Sequence, residues 1–140
     1  MQLEIAEATA VAALNARTRR FAPVAVAMLH GRGSLKGYAA EDGSRLPQAA
    51  IAVGKAHGAL AMGVGSRTLP RIGENRPSLV AALTLAAGRA RIPVAAGVLV
   101  GNWAGELSGA AGVCGDIRTK DGVASIAAVR AAGLSANPRI

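Results

Sequence analysis

The sequence predicts one domain that mixes antiparallel strand pairs with helices. Three observations predict it. The chain has 140 residues, enough for one core and too few for a second. Two strand–turn–strand patterns occur, at residues 24–39 and 98–114, both rich in Ala, Val and Gly. Helical spacings lie around them, at 3–20, 46–62, 77–87 and 119–132.

Hydrophobic residues make up 51% of the chain but aromatic residues only 2%. The core must therefore be built from Ala, Val, Leu and Ile. Small side chains bury little area each, so elements must pack closely, and self-association is a natural way to bury more. Sixteen basic residues against eight acidic ones give a net charge of +8. One Phe, one Tyr and one Trp cannot assemble a stacking platform for nucleic acid. An anionic small ligand fits the scattered arginines better, and a solvated basic face fits them equally well. A single cysteine excludes an internal disulfide. The N-terminal stretch MQLEIAEATAVAAL carries acidic residues where a secretion signal needs positive charge. No apolar run reaches the ~20 residues of a membrane span. The expectation is a cytoplasmic protein with no nucleic-acid or membrane partner.

In chain order, Leu3, Ala6, Ala10, Ala13, Leu14 and Arg17 recur at helical spacing. Glu4 and Glu7 suit the positive end of that helix, and the basic run Arg17–Arg20 its negative end. Pro23 opens a strand from Val24 to Leu29, His30-Gly31-Arg32-Gly33 turns the chain, and Ser34 to Ala39 returns. Ser44 reads as the N-cap of a helix from Leu46 to Met62, with Pro47 in its first turn. Gly54 and Gly58 stand four apart on that helix, a spacing for close packing. Pro77 to Ala87 reads as a helix closed by Gly88. Thr119 reads as the N-cap of a last helix ended by Gly133, and residues 135–140 read as a loose tail.

The stretch Gly97 to Asp116, GVLVGNWAGELSGAAGVCGD, organises the rest. Val98, Leu99 and Val100 make a short strand; Gly101, Asn102, Ala104 and Gly105 supply the turn. In the next strand Leu107, Gly109, Ala111 and Val113 fall on one face, and Ser108, Ala110, Gly112 and Cys114 on the other. Glycine inside a strand signals the close approach of another backbone, a helix or a ligand.

GELSGAAGVCGD followed by TKDG resembles the signature of the GlcG/HbpS-type heme-binding family, also seen in the PduO C-terminal domain. Gly105, Glu106, Gly109, Ala110, Gly112, Val113 and Gly115 fit the family pattern. Cys114 stands where serine is usual, and Gly122 where glutamate is usual. Lys55-Ala56-His57 matches the family's K-A segment, with His57 an unusual residue there. The resemblance runs from the first helix through Leu134. It implies an α+β domain over residues 1–134, profilin-like, with a central antiparallel sheet of about five strands flanked by helices. It also implies a homo-oligomer, often an octamer, and haem as a ligand.

The chemistry-bearing candidates are few. Lys55 sits inside an apolar helix, where burial favours an acid–base role or an anion partner. His57 is a candidate haem-iron ligand or proton carrier. Arg67 and Arg71 offer guanidinium forks for a carboxylate or phosphate. Cys114 is a nucleophile if activated, and a small hydrophobe otherwise. Gly97, Gly112 and Cys114 would line a ligand pocket near Lys55. Two functions of different class follow. One is a homo-oligomeric protein binding haem or another anionic small molecule, with no other cofactor. The other is a small enzyme (isomerase, lyase or deaminase) acting on a carboxylated metabolite of a catabolic or biosynthetic pathway, with Lys55 and His57 as acid and base.

Overall fold

The computed structural model describes residues 23–63, 74–86, 97–102, 104–115 and 134–137, with single positions at 4, 7, 11, 126, 127, 129 and 130. Five strands form one antiparallel sheet. They are β1 (Ala25–His30), β2 (Leu35–Ala40), β3 (Gly97–Gly101), β4 (Leu107–Cys114) and β5 (Ser135–Asn137), in the order β2-β1-β4-β3-β5. Two helices are described along their length, α1 (Leu46–Met62) and α2 (Pro77–Ala86). Glu4, Glu7 and Val11 are helical, as are Ile126, Ala127, Val129 and Arg130, where the sequence predicts the first and last helices.

The two faces of the sheet differ in side-chain size. On one face Ala25, Ala27, Leu29, Leu99 and Ala110 meet Ala52, Ala56 and Ala59 of α1. On the other, Val24, Val26, Met28, Val100, Ala111 and Val113 pack with Val129 and Leu134. The alternation along β1 and β4 sorts these residues, since successive side chains point to opposite faces. Alanines on the first face let α1 come close. The second face carries larger side chains, Val, Leu and Met, each worth about 1.5–3 kcal/mol when fully buried.

Local chemistry sets the ends of the elements. At the β1–β2 turn, His30 N–H donates to Ser34 O at 2.9 Å and Gly33 N–H to His30 O at 2.7 Å. Gly33 has φ +85°, a left-handed conformation that glycine adopts without steric cost. Gly31 N–H donates to Ser108 O at 2.9 Å, so the turn is tied to β4 as well. At the other end of the hairpin, Glu41 accepts from Val24 N–H through Oε2 at 3.0 Å, and its own N–H donates to Val24 O at 2.9 Å. Between β3 and β4, Asn102 Oδ1 accepts from Ala104 and Glu106 N–H at 3.0 and 2.9 Å, while its Nδ2 donates to Glu106 Oε2 at 2.9 Å.

Two sequence expectations are corrected. The N-cap of α1 is Arg45, not Ser44. Gln48 accepts from Arg45 N–H through its side chain and donates through Nε2 to Pro23 O at 2.9 Å, anchoring the helix start to the sheet. At the other end Gly63, with φ +62°, closes α1. The second correction concerns the tail. Ser135–Asn137 is not loose but forms edge strand β5, pairing Ser135, Ala136 and Asn137 with Gly101, Val100 and Leu99. Ala136 packs against the branched core, which gives so short a strand its hold.

Candidate functional site

Gly97 and Gly112 are directly paired across β3 and β4. A Cβ on Gly112 would strike the carbonyl oxygen of Ala52 and lie 2.9 Å from Ala56 N. A Cβ on Gly97 would strike the carbonyl oxygen of Lys55 and lie 3.2 Å from the Ala59 Cβ. The backbone of α1 therefore occupies the space above both glycines. Cys114, half-buried on the same face, packs against Ala25, Ala27 and Ala52.

Lys55 is 4% exposed, on the buried side of α1. Its Nζ donates to the carbonyl of Val113 at 2.7 Å. Val113 lies one residue beyond Gly112, the last described partner of β3 on β4. The lysine thus bridges helix and sheet where the described ladder ends. A buried charged donor is tolerated where it is hydrogen-bonded, and such a bond is stronger than a neutral one.

His57, two residues further along α1, serves another place. It is half-buried, and its ring lies against the β1–β2 turn. A Cβ on Gly33 would stand 3.1 Å from His57 Cε1 and 3.3 Å from Nδ1. The turn lies opposite Ser108, five residues from Val113 along β4, or about 17 Å in an extended chain. Lys55 and His57 are therefore not brought together. This follows from helical geometry, in which residues two apart do not share a face.

The turn also holds groups that sequence reasoning left out of the site. His30 Nδ1 accepts from Arg32 N–H at 3.2 Å. Desolvation lowers the pKa of His30 from its ordinary 6.5, and nearby cations, Lys36 and Arg32 among them, lower it further. Arg32 and Lys36 are exposed. The signal that could have found them is the run HGRGSLK, three basic side chains in and beside a turn with two glycines. Arg67 and Arg71 lie outside the described residues. Among the described residues, no group of three or more His, Cys, Asp or Glu side chains is placed to hold a metal ion. No described helix is long and apolar enough to cross a membrane.

The fold matches several solved structures. It resembles PduOC, solved as a heme complex, with a TM-score of 0.82 at 18% identity, over 98% of each chain. It resembles the Klebsiella pneumoniae protein ORFY, with a TM-score of 0.82 at 20% identity, over 95% of this chain and 90% of that one. A variant of Streptomyces reticuli HbpS matches with a TM-score of 0.76 at 23% identity, over 94% of this chain and 86% of the other. The comparison with curated proteins finds no match. The family model described as haem degrading protein HbpS-like matches residues 1–130. With that match and the shared α+β fold, the chain belongs to the HbpS-like family.

Proposed function

We propose that the chain is a cytoplasmic, homo-oligomeric binding protein that holds haem or another anionic small molecule beside the β1–β2 turn and His57. The observation that carries the reading is the fold shared over 98% of the chain with PduOC, a protein solved with heme bound. The net charge of +8 supports an anionic ligand. Exposed Leu46, Leu85, Leu107 and Leu35 support self-association, which would remove them from water.

The residues fit haem in one place. Haem iron takes an imidazole nitrogen as an axial ligand. The His57 imidazole is half-buried, and the missing side chain of Gly33 leaves its ring the room it occupies. His57 would hold the iron. His30 fits less well: with Nδ1 accepting from Arg32 N–H, its neutral ring keeps the proton on Nε2, the nitrogen that would otherwise ligate. When bound, haem supplies a redox-active iron. Lys55 acts here as a positioning residue, fixing α1 on β4 through the Val113 carbonyl. Arg67 and Arg71 stand as further anion contacts by the chemistry of their side chains.

Native mass spectrometry of protein purified without added cofactor tests the reading, followed by titration with haemin. A symmetric oligomer that carries haem mass, or develops a Soret band on haemin addition, supports it. An oligomer with no bound mass and no Soret band sinks the haem reading.

A further inference from the structure

We propose that Arg32 and Lys36, on the β1–β2 hairpin, bind the carboxylates of a ligand whose ring system stands against His57. The inference rests on the binding reading above and names its anion contacts. Four observations carry it.

Both side chains are exposed at the turn that His57 packs against. Among the described residues, neither is held by a side-chain hydrogen bond or an ion pair. Both are near enough to His30 to depress its proton affinity, so at least three basic groups share this end of the hairpin. The acidic residues of the same hairpin, Glu41 and Asp42, lie at its far end, beyond Ala40. Six residues of β1 separate the two ends, about 20 Å of extended chain. The hairpin is therefore divided by charge, and its basic end is the one next to His57.

Clustered cations repel one another, and an anion placed among them relieves that repulsion. Arginine and lysine suit a carboxylate differently, the first as a two-pronged donor and the second as a point charge. Gly31 and Gly33 keep the turn free of side-chain bulk beside them. The bond from Arg32 N–H to His30 Nδ1 fixes the backbone of Arg32, which lowers the cost of ordering its side chain on a ligand.

The test compares haemin with its dimethyl ester, in which the carboxylates are masked. Each is titrated into the full chain, the Arg32→Gln/Lys36→Gln variant and the Arg32→Lys variant, with the Soret band as readout. Wild type should prefer haemin over the ester by about fivefold, the size expected of partly exposed charge pairs. The double variant should lose that preference with its Soret maximum unmoved, because iron ligation is untouched. Arg32→Lys should keep most of it. Equal preference in wild type and double variant overturns the inference and leaves the binding reading standing. No Soret band in wild type overturns both. The substituted side chains are exposed, so matching thermal melts of variant and wild type are the expected control.

Discussion

Gly112 lies directly under Ala52, with no space between strand and helix for even one methyl group. The contact is backbone to backbone on the helix side, so neither partner has a flexible side chain to move. Gly112→Ala should therefore force α1 away from β4. Overpacking of this kind costs about 3 kcal/mol. Urea denaturation should read that loss, and a midpoint within error of wild type would contradict the packing described here.

Lys55 makes a complementary prediction. Its ammonium satisfies the Val113 carbonyl in a buried setting. Lys55→Met keeps the length of the side chain and removes the buried donor to the Val113 carbonyl. The expected loss is about 2 kcal/mol, again by urea denaturation. Haemin affinity, measured under conditions where the variant is folded, should change little. A large loss of affinity with unchanged stability would instead make Lys55 a ligand contact.

His30 predicts a pH dependence. Desolvation, then the positive charges around it, hold its folded pKa below 6.5. Below about pH 6.5 the unfolded chain therefore binds protons more readily than the folded one, and stability rises with pH between the folded pKa and that value. The contribution is fully present above 6.5 and is lost as pH falls toward the folded pKa. Protonation also removes the acceptor for Arg32 N–H. Denaturation midpoints from pH 5 to 7.5 should fall on acidification in wild type and fall less in His30→Gln. Parallel curves would remove His30 as the cause.

His57 and Gly33 predict a linked pair of spectra. His57→Ala should shift or abolish the Soret band formed on haemin addition, since it removes the proposed iron ligand. Gly33→Ala should shift the band as well, because its Cβ would press on the His57 ring. The same substitution places a side chain at φ +85°, at a cost of about 1–2 kcal/mol. An unchanged band in both variants would remove His57 from the site.

Much of the fold was legible before any tertiary contact was known. The alternation of Ala25, Val26, Ala27 and Met28 assigns each residue to its face, because side chains alternate along a strand. The glycines of β4 signalled the close approach of a backbone, a helix or a ligand, and the structure puts the backbone of α1 there. Pro77 marks the start of α2 by its restricted geometry. Local rules suffice for such features, since each depends on a few neighbouring residues.

The candidate site was less legible. Lys55 and His57 were visible as unusual residues in an apolar helix, but not what each would reach. Lys55 finds a carbonyl 58 residues away, and His57 finds a turn more than twenty residues earlier in the chain. Such partners are chosen by how the helix crosses the sheet, which no short spacing encodes. Ser135–Asn137 shows the same limit. Three residues carry too little pattern to announce a strand, and only the free edge of β3 makes them one. The sequence by itself determined the helices and the first four strands, the faces of β1 and β4, and the excess of positive charge. The tertiary structure alone decided that Lys55 and His57 serve different places and that His57 lies against the turn between Arg32 and Lys36. Side chains distant in sequence meet only where packing leaves room, and here the glycines of β3, β4 and the β1–β2 turn leave it.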